Sequence, residues 1–277
     1  MNYLFYCEKS IPEYIKHTIN CVLSVDRDAV INVCSNEKIN FKNVNTLNLS
    51  EIATEDTKKI LNSNLDEKRS IARIFYLHDA MRELSLKNFV HFDNDVLIYK
   101  PFSSLKNVFM ENRLNITKSS NAKIIFGYSY INSDEVLIKL KEKISETIEY
   151  GISNRWSFNY DVPFKEEDFL GNIHSKNSEL FNLLPILPNE NKFVFDPSSY
   201  GHYLDGTSSH PRKIFRKGYI NPDHYIGREI RAKRINVNFI NHKPVVTWQK
   251  KEFDIVNLHL YSQRFEKFLP ISYKEYI

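Results

Sequence analysis

The sequence predicts an α/β fold. Three features carry this expectation: an apolar strand at residues 3–7, a helix at 12–25 with Ile15, Ile19 and Val22 on one face, and a second strand at 29–34. Strand, helix and strand in that order feed a parallel sheet. The turn Ser35-Asn36-Glu37 follows, then a third strand at 44–49. No glycine-rich loop follows the first strand, which argues against a dinucleotide-binding turn or a P-loop.

The clearest helix spans residues 66–84, with Ile74, Leu77, Met81 and Leu84 on one stripe. Arg73 sits at the shoulder of that stripe, where a half-buried guanidinium needs an acidic partner. It either pairs with an aspartate or holds a ligand phosphate. A strand begins at Phe89 and carries Asp93 and Asp95. Another strand is expected at 123–130, a helix at 133–150 and a short helix from Glu166 to Asn172. A long functional loop covers about 198–223, and short strands are expected at 235–240, 245–248 and 255–260. With no repeat, low-complexity run or linker, residues 1–277 are expected to form one domain.

Composition narrows the function classes. At 42% hydrophobic and 26% charged, 277 residues bury a core without staples. Net charge is +4, too small and dispersed for nucleic acid but compatible with an anionic small substrate. Cys7, Cys21 and Cys34 fit no zinc spacing and are expected to be buried thiols in a reducing compartment. The stretch Met1–Tyr6 lacks the basic start and apolar run of a signal peptide, and no run of about 18 apolar residues exists to span a membrane. A cytoplasmic protein is expected, with a peripheral membrane contact left open.

Asp93-Asn94-Asp95 is the most informative stretch. Apolar sequence surrounds it, and ionised carboxylates in such a run are costly without a partner, most often a divalent cation. On an extended chain Asp93 and Asp95 share a face while Asn94 points away. Two hard oxygen ligands with open positions suit Mg²⁺ or Mn²⁺. The plain alternative is a polar turn after a strand.

Arg73-Ile74-Phe75-Tyr76-Leu77 followed by Val90-His91-Phe92-Asp93-Asn94-Asp95-Val96-Leu97 resembles the helix-then-aspartate-strand unit of the GT-A nucleotide-sugar glycosyltransferases. Glu166-Glu167-Asp168 looks like their second acidic motif, and the segment from Phe195 to Gly206 is similar to one in bacterial and viral members. Asn257-Leu258-His259-Leu260-Tyr261-Ser262 looks like their closing motif. Asp205 stands where a glycine is expected.

The resemblance implies a Rossmann-like mixed central sheet flanked by helices, with a donor-binding half at about 1–130 and an acceptor or closing half at about 131–277. Asp95 would bind Mn²⁺ or Mg²⁺, Asp93 the metal or the ribose, and His259 would add an imidazole ligand. Arg73 would support the pyrophosphate or order Asp93, and Tyr6 is a candidate for stacking on the base. Asp168 is the candidate general base for an inverting reaction, with helix-dipole complementation as the alternative. Asp196, Tyr200, His202 and Asp205 are candidates for acceptor or sugar contacts. The implied activity is hexosyl or deoxyhexosyl transfer from a nucleoside-diphosphate sugar, UDP-linked by preference, to a glycan or lipid-linked glycan. Its rivals are a metal-dependent phosphotransferase or nuclease and a non-catalytic glycan or nucleotide-sugar binder.

Overall fold

The computed structural model describes residues 1–8, 10–65, 68–153, 165–206, 218–261 and 264–276. The chain opens with β1 (Asn2–Cys7), α1 (Ile15–Val25), β2 (Val30–Ser35) and β3 (Val44–Leu47). Side chains alternate across the pleat of β1: Tyr3, Phe5 and Cys7 enter one apolar core and Leu4 enters another. α1 covers the first of these with Ile15, Ile19 and Val22. β3 ends before Leu49 because Asn48 accepts the Ser50 N–H at 2.9 Å and opens α2 (Leu49–Ile52).

Helices α3 (Glu55–Leu61) and α4 (Lys68–Glu83) cover the second face. The start of α3 is held from α4. The Thr54 backbone N–H donates to the buried Asp79 carboxylate at 3.1 Å, and the Thr57 hydroxyl donates to it at 2.5 Å. The expected helix start at Asp66 lies outside the described residues. Next come β4 (Phe89–His91), β5 (Val96–Ile98), β6 (Leu114–Lys118), β7 (Ile124–Ile131), α5 (Asp134–Ser153) and α6 (Glu166–Lys176). They are followed by β8 (Phe181–Leu183), β9 (Phe193–Val194), α7 (Tyr200–Asp205) and α8 (Tyr225–Arg231). The described chain closes with β10 (Ile235–Ile240), β11 (Lys243–Trp248), β12 (Lys251–Ile255), β13 (Asn257–His259) and α9 (Ile271–Tyr276).

Seven strands form the central sheet in the order β3-β2-β1-β4-β7-β6-β8. β3, β2, β1 and β4 are parallel, β7 runs antiparallel to β4, and β6 antiparallel to β7. This is the mixed, helix-flanked sheet expected above. β2 and β4 lie on opposite sides of β1, so the crevice beyond the carboxyl ends of β1 and β4 is where an open α/β sheet binds ligands. Tyr6 lies near the end of β1, and Asp93 follows β4.

Two expected strands are each broken in two. The strand through Asp93 and Asp95 divides into β4 and β5, with the aspartates in a turn closed by Val96 N–H donating to the Asp93 carbonyl at 3.2 Å. The Asn94 carboxamide fixes that turn by donating to the Tyr6 carbonyl at 2.9 Å and to Cys7 Sγ at 3.2 Å. The strand expected at 255–260 divides into β12, in a four-stranded sheet ordered β10-β11-β12-β9, and β13, which pairs antiparallel with β5. That ribbon sets His259 opposite Val96. Cys7, Cys21 and Cys34 are free and buried, as expected. Among the described residues, no helix is long and apolar enough to cross a membrane.

Candidate functional site

The β4–β5 turn and β13 bring Asp93, Asp95 and His259 together. One carboxylate oxygen from each aspartate and one ring nitrogen lie within 4.8 Å of one another. His259 Nε2 is 2.9 Å from Asp95 Oδ1, and Nδ1 is 3.9 Å from Asp93 Oδ2. Burial opposes charge on His259. Asp95 and then Asp93 outweigh it and raise the imidazole to about 9. Burial also opposes the charge on Asp93, but Arg73, His259 and His91 hold its carboxyl below the usual range.

These residues fit a divalent cation. Nδ1 of His259 is buried without a hydrogen-bond partner among the described residues. Gly127 keeps the space beside it open, since a Cβ there would sit 3.5 Å from Nδ1. Two hard oxygens and one imidazole nitrogen suit Mn²⁺ or, with more water, Mg²⁺.

Arg73 explains how Asp93 is held. Its guanidinium donates through Nη1 to Asp93 Oδ1, and through Nη2 to both Glu166 oxygens at 2.8 and 2.7 Å. The two carboxylates keep this arginine charged against its burial. One guanidinium does not neutralise two buried carboxylates fully. Burial pushes the Glu166 carboxyl up to about 7, while Arg73 pulls the other way. Arg73 is thus paired with Asp93, and it also lines the cavity beside that residue.

Beside Asp93 lies a cavity of about 400 Å³. Tyr6, Arg69 and Lys165 line it, together with Glu166 and Glu167. The Tyr6 ring packs on Tyr76 with centroids 5.5 Å apart, and its buried hydroxyl has no hydrogen-bond partner among the described residues. Arg69 Nε is 3.1 Å from Glu8. Glu167 makes no ion pair among the described residues, and burial raises its pKa against the pull of Lys123 and Lys165.

Asp168, the expected general base, does not line this cavity. It is 37% exposed and lies 3.9 Å from Lys123, at the N-terminal turn of α6. The helix register is the reason. Glu166, Phe169, Leu170 and Ile173 form the buried stripe of α6, so Asp168 falls on a different face. The same spacing, read along the sequence, would have singled out Glu166.

Three of the four expected acceptor residues have structural duties. Asp196 is fully buried, and its carboxylate accepts the backbone N–H groups of Ser199, Tyr200, Gly201 and His259 at 2.6–3.1 Å. It is a joint between α7 and β13 rather than a sugar contact. Tyr200 is buried, and its hydroxyl donates to the Ile186 carbonyl at 2.7 Å. Asp205 is buried 2.9 Å from Arg264. His202 does reach the site, with its ring centroid 6.3 Å from that of His259 and 5.8 Å from that of Tyr261. Burial, then His259 and His224, lower it to about 3, so it stays neutral. The loop expected at about 198–223 contains the helix α7, and residues 207–217 and Ser262 lie outside the described residues.

No protein-family model and no curated protein matches the sequence. Solved structures do resemble the chain. Apo glycosyltransferase GlyE of Streptococcus pneumoniae TIGR4 aligns at TM-score 0.44 and 10% identity, over 66% of this chain and 44% of GlyE. The chain thus spans less than half the length of GlyE. The galactosyltransferase LgtC, solved with donor and acceptor sugar analogues, aligns at TM-score 0.46 and 15% identity, over 81% of this chain and 87% of LgtC. Mouse xyloside xylosyltransferase 1 in its apo form aligns at TM-score 0.42 and 14% identity, over 67% of this chain and 86% of the mouse protein.

Proposed function

We propose that the protein is a metal-dependent glycosyltransferase that moves a hexosyl or deoxyhexosyl group from a nucleoside-diphosphate sugar, UDP-linked by preference, to a glycan or lipid-linked glycan. The observation that carries this reading is the convergence of Asp93, Asp95 and His259, with Asp93 also lining a polar cavity. A divalent cation bound there would neutralise charge on the departing nucleoside diphosphate. Asp95 and His259 would hold it, and Asp93, fixed by Arg73, would hold the metal or the ribose. Arg69 and Lys165 supply positive charge for the phosphates. Tyr6 offers a ring for the base and a buried hydroxyl in need of a partner. Glu167, a cavity carboxylate with no ion pair among the described residues, would steer or deprotonate an acceptor hydroxyl.

The test is release of nucleoside diphosphate from a panel of UDP-, GDP- and dTDP-sugars, with Mn²⁺, with Mg²⁺ and with chelator. The expected result is Mn²⁺- or Mg²⁺-dependent release from one donor. Cleavage of oligonucleotides in place of any sugar nucleotide would support the nuclease reading. Binding of a sugar nucleotide with no turnover and no metal dependence would support a binding protein.

A further inference from the structure

A second cavity, of about 540 Å³, lies at the other end of the strands that carry the metal cluster. Asn88, on its wall, precedes β4, whereas Asp93 follows β4. Phe102, Phe109 and Tyr130 form its apolar side. Phe102 and Phe109 stack with centroids 5.3 Å apart, and Tyr130 tilts against both, at 4.9 and 4.7 Å. All three rings are only half-buried. Each ring packs one side against the main core and leaves part of itself at the cavity wall, which groups partly exposed aromatic surface at one place.

The polar wall is equally distinctive. Asn88, Lys106, Glu111 and the Asn112 side chain face this cavity with no side-chain hydrogen bond or ion pair among the described residues. The Tyr130 hydroxyl likewise has no protein partner among them. Asn132 does the structural work, accepting the Asn112 N–H at 3.1 Å and donating to the Met110 carbonyl at 3.1 Å. The Asn112 backbone is left-handed, with φ 55°. The wall thus offers amide donors and acceptors, a hydroxyl, one cation and one anion.

We propose that this cavity is a binding site for a neutral oligosaccharide, separate from the catalytic cavity. A pyranose has one apolar face, which stacks on an aromatic ring, and a rim of hydroxyls that need both donors and acceptors. The Phe102–Phe109–Tyr130 wall supplies the first, and the uncommitted amides with Lys106 and Glu111 supply the second. The opposed charges of Lys106 and Glu111 disfavour a polyanion and leave a neutral polyol as the complementary ligand. This cavity would hold a sugar whether or not the metal cluster transfers one.

The test is saturation-transfer NMR of the full chain with maltotriose, cellotriose, chitotriose and mannotriose, without nucleotide or metal. At least one trisaccharide should bind the wild type and bind Asp95→Ala equally. The exposed-rim variant Lys106→Ala/Asn112→Ala and the packing-neutral variant Tyr130→Phe should each weaken it about tenfold or more, the scale of about 1.4 kcal/mol. The proposal is overturned if no trisaccharide binds the wild type, or if Asp95→Ala abolishes binding that the rim variant keeps. Rim-dependent binding to phosphatidylglycerol vesicles, with no trisaccharide bound, would overturn it in favour of a membrane contact.

Discussion

His259 carries a proton in the metal-free site at neutral pH, because Asp95 and Asp93 hold its pKa near 9 despite burial. A metal-bound imidazole must be neutral, so cation uptake expels that proton. Mn²⁺ affinity should rise roughly tenfold per pH unit up to about pH 9 and then level off. Stability of the metal-free protein should run the other way. The folded pKa lies above the ordinary 6.5, so this contribution is complete below pH 6.5 and lost as pH rises through about 9. Calorimetric Mn²⁺ titrations and urea melts across that window check both trends, and His259→Gln should flatten them.

Arg73→Met leaves Asp93 and Glu166 facing each other unpaired, and should cost about 3–5 kcal/mol of unfolding free energy. Arg73→Met/Glu166→Gln should recover part of that loss, measured as a coupling in a double-mutant cycle. A third prediction separates two neighbours. Glu167→Gln should lower sugar transfer by about 10²-fold, the usual scale for a positioned proton acceptor, with donor affinity unchanged. Asp168→Asn should leave both near wild type, as steady-state kinetics on the two variants will reveal. In sequence, three acids opening a helix look alike until the apolar stripe of α6 phases them.

Among the elements, β13 sets His259 beside Asp93 and Asp95, and Asp196 and Gly201 position β13. A Cβ at Gly201 would fall 2.1 Å from the His259 carbonyl oxygen, closer than any packing allows. Gly201→Ala should therefore displace β13 and weaken Mn²⁺ binding while leaving both aspartates in place. Asp196→Ala should strand four buried N–H groups and cost about 3 kcal/mol or more, read from chemical denaturation with an intact near-native m-value. Strong local patterns were legible in the sequence. The strand at 235–240 and the apolar stripe of α1 appear as expected, whereas α4 is buried all round from Ile74 to Met81 and ends before Leu84. The breaks at the aspartates and after Ile255 were not legible, because they depend on Asn94 reaching β1 and on β13 leaving one sheet for another. β8 and β9 are short, and they owe their identity to partners distant in sequence rather than to their own residues.

Across the whole molecule, the mixed sheet puts Tyr6 and Asp93 at the carboxyl ends of adjacent parallel strands, and the β5–β13 ribbon returns His259 to them. The aspartate pair and the distant histidine were visible as a motif, and the fold supplies their common location. The half-buried rings at the opposite end of β4 were invisible in sequence, since Phe102, Phe109 and Tyr130 meet only through tertiary packing. In the proposed function, Asp93, Asp95 and His259 hold a cation that in turn holds a nucleoside diphosphate. Thermal melting of wild type and Asp95→Ala with UDP, with Mn²⁺ and with both tests it directly, because a ligand bound only by the folded state raises the melting temperature. Wild type should show a rise with UDP and Mn²⁺ together that exceeds the sum of the separate rises, and Asp95→Ala no such excess, its unliganded melt staying cooperative. An equal excess in both proteins, or a UDP response indifferent to Mn²⁺ in the wild type, would contradict it.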